Sequence, residues 1–289
     1  MNVIVNFTPT GIIPNKEMTR HVPVSINEIV EDVHEACEIG ITMVHLHARD
    51  EKTGEPSCEG RIYQNIIEKI RKFSRDLVVC VSLSGRAFVE FEKRSEPLRL
   101  EGDSKPDMGS LTLSSLNFNL QESINSPGMI QSLATEMKQR GILPELEAFD
   151  TGMINYAKYL EKKKMINPPH YFNLILGNIA CAQPDLLHVG VMIQDLPPNS
   201  YWSIGGVGNA QIIMNSLSIV YGGGVRVGLE DNLWFDKERT KLARNADLLR
   251  RIHMLAGVHE RKIMSPREFR VLLHLQAGDG LYGRIYKEE

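Results

Sequence analysis

The stretch Ile41-Thr42-Met43-Val44-His45-Leu46-His47-Ala48-Arg49-Asp50 organises the chain. An apolar, β-branched run that ends in His-x-His and then a charged pair reads as a buried strand with chemistry at its C-terminal end. Side chains alternate faces along a strand, so His45 and His47 point the same way, one step apart. Two imidazoles on one face can hold one metal ion, and neutral imidazole is the commonest ligand for zinc. Two structural histidines at a strand end are the other reading of an isolated pair. The balance moves far downstream, at Arg226-Val227-Gly228-Leu229-Glu230-Asp231-Asn232, where a second apolar run also ends in charged residues.

Outward from these two stretches, short apolar runs alternate with longer helical patterns. Strands are predicted over 3–7, 41–47, 77–83, 108–113, 143–149, 171–176, 201–204 and 225–230. Helical spacing marks 26–39, opened by Ser25 with Glu28 as a capping box, and 61–73, with Ile62, Ile66, Ile67 and Ile70 on one face. Ser126-Pro127 opens a helix that stops at Gly141. Further helices are predicted over 211–220, 238–256 and, after Ser265-Pro266, 268–275. Eight strand–helix units fit a (β/α)8 TIM barrel, a single domain over residues 1–289 with a C-terminal helical tail. A doubly wound open sheet competes, because periodicity cannot show closure. No GxGxxG follows the first strand, and polar residues recur at several strand ends, which favours the barrel. The Gly205-Gly206-Val207-Gly208 stretch lacks the Lys-Ser/Thr of a phosphate loop. Gly222-Gly223-Gly224 marks a tight place ahead of the last strand.

The chain has 289 residues, 42% of them hydrophobic, enough for a full core. A net charge of -3 gives no electrostatic reason to bind nucleic acid or an anionic membrane. No apolar run approaches the roughly 20 residues that span a bilayer. The opening MNVIVNFTPT lacks a charged n-region and a cleavage site and reads as a strand rather than a signal peptide. Four cysteines, Cys37, Cys58, Cys80 and Cys181, are widely spaced and form no CxxC pair. A cytoplasmic, disulfide-free protein is the expectation.

If the barrel closes, one mouth collects Thr8 and Thr10, His45 and His47, Ser82 and Ser84, Ser110, Glu147 and Asp150, and Arg226, Glu230 and Asp231. Two histidines and one carboxylate form a three-ligand set that leaves positions open for substrate or water. Glu230 and Asp231 are adjacent, so on a strand only one can face the metal. Arg226 lies close enough to hold the other carboxylate ionised, where it can act as a general base. A purely structural Arg226–Asp231 ion pair is the alternative.

The motifs HLHARD (45–50), KPDMGSL (105–111) followed by SSLNFN, PELEAFDTGM (144–153) and GGGVRVGLEDN (222–232) resemble the β-keto acid cleavage enzyme family. The resemblance runs from NFTPTG to Asn232 and continues more weakly to the last helix. It implies a zinc-dependent (β/α)8 barrel, usually a homotetramer, that condenses a β-keto acid with acetyl-CoA and cleaves a carbon–carbon bond to give acetoacetate and a new acyl-CoA. Carried over by motif, His45, His47 and Glu230 are the Zn2+ ligands and Asp231 is the base, with Arg226 as its partner. Ser82, Gly85 and Ser110 are expected around the carboxylate of the keto acid, and acetyl-CoA is the co-substrate. Family members acting on an amino-bearing keto acid carry an acidic residue after the first strand, where this chain has Ile13. An apolar side chain cannot compensate the desolvation of an ammonium ion, so the distal group is expected to be uncharged. Ser82-Leu83-Ser84-Gly85 also departs from a Thr/Gly-rich family version.

Two rival enzyme classes share these features. An amidohydrolase-type metal hydrolase needs further histidines at the ends of strands five and six, where this chain has Glu147-Ala148-Phe149-Asp150 and Leu176-Gly177-Asn178. A metal-dependent aldolase or lyase that does not use coenzyme A needs the same metal site, and a requirement for acetyl-CoA separates the two. A barrel that binds metal without turnover is the non-enzymatic alternative. His34, His253, His170 and His188 carry no assigned role, and Trp202 and Trp234 either line the mouth or pack.

Overall fold

The computed structural model describes residues 1–285. Its strands are β1 (Val5–Phe7), β2 (Met43–Leu46), β3 (Val78–Val81), β4 (Met108–Thr112), β5 (Leu143–Ala148), β6 (His170–Leu176), β7 (Ser200–Gly206) and β8 (Gly224–Val227). They pair in parallel as a closed barrel in the order β1-β8-β7-β6-β5-β4-β3-β2, which removes the open-sheet alternative. The helices are α1 (Ile26–Ile39), α2 (Gly60–Phe73), α3 (Phe91–Ser95), α4 (Pro127–Gln139), α5 (Thr151–Lys162), α6 (Leu186–Gln194), α7 (Ala210–Val220), α8 (Asn245–Val258) and α9 (Pro266–Leu272). Both predicted capping devices form: Ser25 and Glu28 cap each other's backbone at α1, and Pro127 opens α4 behind Ser126. No helix among the described residues is long and apolar enough to cross a membrane.

Most element boundaries shift by a few residues from the sequence expectation, and three of the shifts have a clear physical reason or bear on the site. The helix expected over 238–256 begins only at Asn245, because Asp236 accepts hydrogen bonds from the Thr240 and Lys241 amides and the Thr240 hydroxyl and folds the preceding segment into a loop. Gly205 and Gly206 belong to β7 rather than to a loop after it. The last strand ends at Val227, not Glu230, since Gly228 leaves the sheet in close approach to β1: a Cβ there would lie 2.0 Å from the Thr8 carbonyl oxygen.

The tail is a plug for the barrel floor. Phe269 of α9 and Leu273 just after it pack with Ile4, Met43, Val78 and Tyr171 at the N-terminal end of the strands. Phe269 meets Tyr171 edge-on, with ring centres 5.2 Å apart. The plug is tied by the fully buried Asp107, whose carboxylate accepts from Arg71 of α2, both terminal nitrogens of Arg270 of α9, and the Gly283 amide. Burial disfavours that carboxylate's charge, but the two guanidiniums outweigh it and hold its pKa below the usual aspartate value. With the floor sealed by side chains, the C-terminal mouth is the end left for chemistry.

Candidate active site

The barrel interior changes character from floor to mouth. Above the apolar floor sits a layer of polar side chains centred on Glu145 of β5, which is wholly buried. Its Oε1 accepts from the side-chain amides of Asn6 and Asn173, each at 2.6 Å. Its Oε2 lies 2.5 Å from His45 Nδ1 and 3.1 Å from Cys80 Sγ. Burial raises a carboxyl's pKa, but His45, Arg226 and these donors bring Glu145 down to about 2, so it is an anion. Cys80 is pushed well up by burial and by Glu145 itself. In this geometry it is a thiol that donates to the carboxylate, and neither Cys80 nor Glu145 reaches the cavity lining.

This arrangement settles which nitrogen of His45 faces the mouth. With Nδ1 donating to Glu145, the Nε2 lone pair points outward, the carboxylate–histidine pairing that orients metal ligands. His45 Nε2 lies 3.2 Å from His47 Nε2, and His47 Nε2 lies 3.1 Å from Glu230 Oε1. The three ligand atoms of His45, His47 and Glu230 all fall within 4.8 Å of one another. Glu230 Oε2 is buried without a hydrogen-bond partner. Burial pulls His45 down, but Glu145 and Glu230 outweigh it and carry the imidazole up to about 9, so in this geometry a proton stands where a cation would bind. His47 is lowered, chiefly by burial, toward the neutral form that ligates. An orphaned carboxylate oxygen beside two converging imidazoles fits a divalent cation, and zinc prefers such a nitrogen-and-oxygen set.

Arg226 of β8 lies at the junction. Its NH2 is 2.7 Å from Glu230 Oε1, and its Nε donates to Asp231 Oδ2 at 2.9 Å. Its side chain crosses Gly205, where a Cβ would lie 3.1–3.2 Å from the Arg226 side chain. Because residues 229–231 form a turn rather than a strand, both Glu230 and Asp231 reach the same guanidinium, which strand alternation would forbid. Burial, strongest of the influences, raises Asp231 against the pull of Arg226, while Glu230 is held well below its ordinary value by Arg226 and the two histidines despite burial. Two neighbouring carboxylates are thus driven apart, one favoured as the anion and one easier to protonate. Glu147, raised by burial, accepts from Thr112 Oγ1 at 2.6 Å on the other side of Arg226.

The turn is held from several sides. Gly228 O accepts from Gln211 of α7, Leu229 N donates to Asn245 of α8, and Glu230 N donates to Thr8 O. Gly11, in the left-handed region at φ 68, lies against Glu230, and a Cβ there would come 2.6 Å from Glu230 Cγ.

The mouth opens into a cavity of about 390 Å3. His45, His47, Ser82, Arg226, Glu230 and Asp231 line its base, and Ile12, Ile13, Pro14, Phe118 and Trp234 line its walls. Ser110 and Gly85, expected near the substrate, are not among the lining residues: the Ser110 hydroxyl accepts from Leu83 N, and the Ile124 carbonyl closes the space a Gly85 side chain would take. Asp150, expected at the mouth, instead caps α5 by accepting from Met153 N. Thr8 and Thr10 are buried with unpartnered hydroxyls outside the cavity lining. Trp234 lines the mouth, whereas Trp202 packs on Gly223, where a Cβ would lie 1.8 Å from its ring. His170 pairs with Glu161, His188 with Asp185, and His253 with the Gly40 carbonyl, while His34 is exposed.

Sequence reasoning misses Glu145, although its signal is present. Leu143-Pro144-Glu145-Leu146-Glu147 places two glutamates on one face of a buried strand, and a mid-strand carboxylate needs a partner in the interior. Arg86 and the hairpin of Leu116–Asn117 with Glu122–Ser123, which bring a guanidinium and Phe118 to the wall, carry no such periodic signal.

Known proteins resemble this chain along most of its length. A 3-keto-5-aminohexanoate cleavage enzyme of Fusobacterium nucleatum is 32% identical over 276 residues, covering 95% of this chain and 98% of its own. A 3-oxoadipate:acetyl-CoA acetyltransferase of Cupriavidus necator is 34% identical over 94% of each chain. The solved structure of ObcA without ligand shares the fold at TM-score 0.73 and 18% identity, covering 88% of this chain, which spans 65% of the length of that one. The family model for the beta-keto acid cleavage enzyme matches residues 2–275. With nearly the whole chain aligned and the His-x-His, Arg226 and Glu230-Asp231 groups converging at one barrel mouth, this protein belongs to the β-keto acid cleavage enzyme family.

Proposed function

We propose that this enzyme condenses a β-keto acid, R–CO–CH2–COO⁻, with acetyl-CoA and cleaves the keto acid's carbon–carbon bond, giving acetoacetate and R–CO–SCoA. Every atom of the two substrates is retained in the two products. The observation that carries the reading is the convergence of His45, His47 and Glu230 beside an Arg226–Asp231 pair at the base of the cavity. His45, His47 and Glu230 would hold Zn2+, which as a Lewis acid polarises a substrate carbonyl when bound. Asp231, held by Arg226 and raised by burial, takes the proton from the carbon between the keto acid's two carbonyl groups. Arg226 keeps Glu230 ionised and fixes the direction of Asp231 at once. Ser82 offers a hydroxyl at the cavity base. Ile12, Ile13 and Pro14 make the wall near the distal end apolar, which supports a keto acid whose distal group is uncharged.

A homotetramer is the family expectation, and the exposed Leu186, Leu187 and Val191 of α6 are apolar surface of the kind an assembly buries. The four free cysteines suit the reducing cytoplasm. The deciding experiment incubates zinc-loaded protein with a panel of β-keto acids, with and without acetyl-CoA, and measures acetoacetate. Acetoacetate formed only with acetyl-CoA supports the reading. Cleavage at equal rate without it makes the protein a metal-dependent aldolase or lyase instead.

A further inference from the structure

We propose that Arg86 anchors the carboxylate of the keto acid in this chain. The inference rests on the keto acid reading above and assigns the anion subsite of the same cavity.

Arg86 follows Ser82-Leu83-Ser84-Gly85 beyond the end of β3 and lines the cavity together with Ser82 and Ser84. Its guanidinium carbon lies 3.7 Å from the centre of the Phe118 ring, so the group stands over an aromatic face. The residue is half-buried, and its Nε is buried with no hydrogen-bond partner. Among the described residues its guanidinium has neither an ion pair nor a hydrogen bond. Three other arginines in this part of the fold behave differently. Arg94 donates to Leu83 O, Ile124 O and Asn125 Oδ1, Arg49 to Gly11 O, Pro14 O and Gly54 O, and Arg226 pairs with Glu230 and Asp231. Arg86 is left with its donors free and faces the cavity; Arg239, which also lines it without a side-chain partner, is exposed rather than half-buried.

The neighbouring groups point to the same ligand. Ser84 Oγ accepts from Arg86 N, and Ser82 Oγ accepts from Ser84 N, each at 3.3 Å. Both hydroxyl hydrogens therefore remain for a ligand oxygen. Neither Ser110 nor Gly85 is on the cavity lining, whereas Ser82 and Ser84 are. The end of β3 thus presents two hydroxyl donors and one guanidinium fork, a set that matches a carboxylate in a bidentate contact. Phe118 holds the fork's plane in advance, which lessens the ordering cost of binding. Burial lowers the Arg86 pKa and distant Glu230 opposes this, so an anion in contact would complete the charge balance. A phosphate of coenzyme A has the same chemistry and is the competing source.

The test titrates zinc-loaded protein calorimetrically with acetoacetate, itself a β-keto acid, and separately with coenzyme A. Wild type, Arg86→Gln and Arg86→Lys are compared. We expect Arg86→Gln to weaken acetoacetate roughly ten- to a hundredfold, the loss expected for a charge-assisted contact, with coenzyme A changed less than about twofold. Arg86→Lys keeps the charge without the fork and is expected to fall between the two. It also serves as the test should Arg86→Gln fail to fold. Unchanged acetoacetate binding in both variants overturns the anchor alone, as does a loss confined to coenzyme A, which would move the residue to the phosphates. Wild-type protein that binds neither ligand overturns the keto acid reading, and the anchor with it.

Discussion

Glu145 Oε2 sits 2.5 Å from His45 Nδ1 at the centre of the barrel, one layer beneath the mouth. This contact decides that His45 offers its other nitrogen to the cavity, while Asn6, Asn173 and Cys80 steady the carboxylate from its other sides. Replacing it by an amide of the same shape should leave the fold in place but unsettle the imidazole. Glu145→Gln is expected to lower zinc affinity about 10–100-fold, as loss of a metal ligand's supporting carboxylate does elsewhere. Competition with a chromophoric chelator measures it, and unaltered affinity would reduce Glu145 to a filler of the interior.

His45→Ala and Asp231→Asn should separate metal binding from proton transfer. The first is expected to lose both zinc and turnover. The second should retain zinc, because Asp231 is not among the three converging ligands, and should lose about 10²–10⁴ in rate, the usual contribution of a positioned base. Metal analysis and single-turnover kinetics check both. Zinc retained without His45, or near-normal turnover without the Asp231 carboxylate, would remove that residue from its role.

Asp32 of α1 gives a pH test away from the metal. Burial raises its pKa to about 6, with the Asn245 hydrogen bond opposing and Glu35 adding to the rise. A carboxyl harder to ionise in the folded state than in the unfolded chain destabilises the fold as pH rises: the cost is absent below about 4, grows through the interval, and is complete above about 6. Asp32→Asn should therefore stabilise the protein at pH 7 by about 1–2 kcal/mol, allowing for solvent reaching the half-buried group, and lose its advantage below pH ~4. Thermal melts across that range check it; an advantage independent of pH would refute the electrostatic cause.

Ile13 tests specificity. It lines the cavity wall beside Ile12 and Pro14, with 41% of its surface exposed. Ile13→Glu should admit keto acids with a distal ammonium group and raise their kcat/KM over an uncharged substrate by about tenfold or more, since a carboxylate offsets the cation's desolvation. No change in the ratio would place the distal group elsewhere in the cavity.

The architecture is legible in the amino-acid sequence because it depends on periodicity. All eight apolar runs form barrel strands, and the Ser25–Glu28 box and Ser126-Pro127 open the helices expected of them. Binary pattern and caps are local, so a linear reading reaches them. His45, His47, Arg226, Glu230 and Asp231 are legible for a related reason: polar residues that interrupt apolar runs at strand ends need an explanation in chemistry. Ser110 and Asp150 are expected at the mouth on the same ground, and Gly85 by family resemblance, yet none of the three is on the cavity lining, and Asp150 caps α5 instead.

The sequence by itself determined the eightfold alternation, the presence of an imidazole pair, and a distant Arg–acid cluster, because each is encoded within a few consecutive residues. Only tertiary structure decided that the alternation closes, that α9 seals the floor, that Glu145 orients His45, and that the turn after Gly228 lets Glu230 and Asp231 share Arg226. The first three depend on groups far apart in the chain meeting inside one barrel, and the last on a backbone approach that only glycine permits.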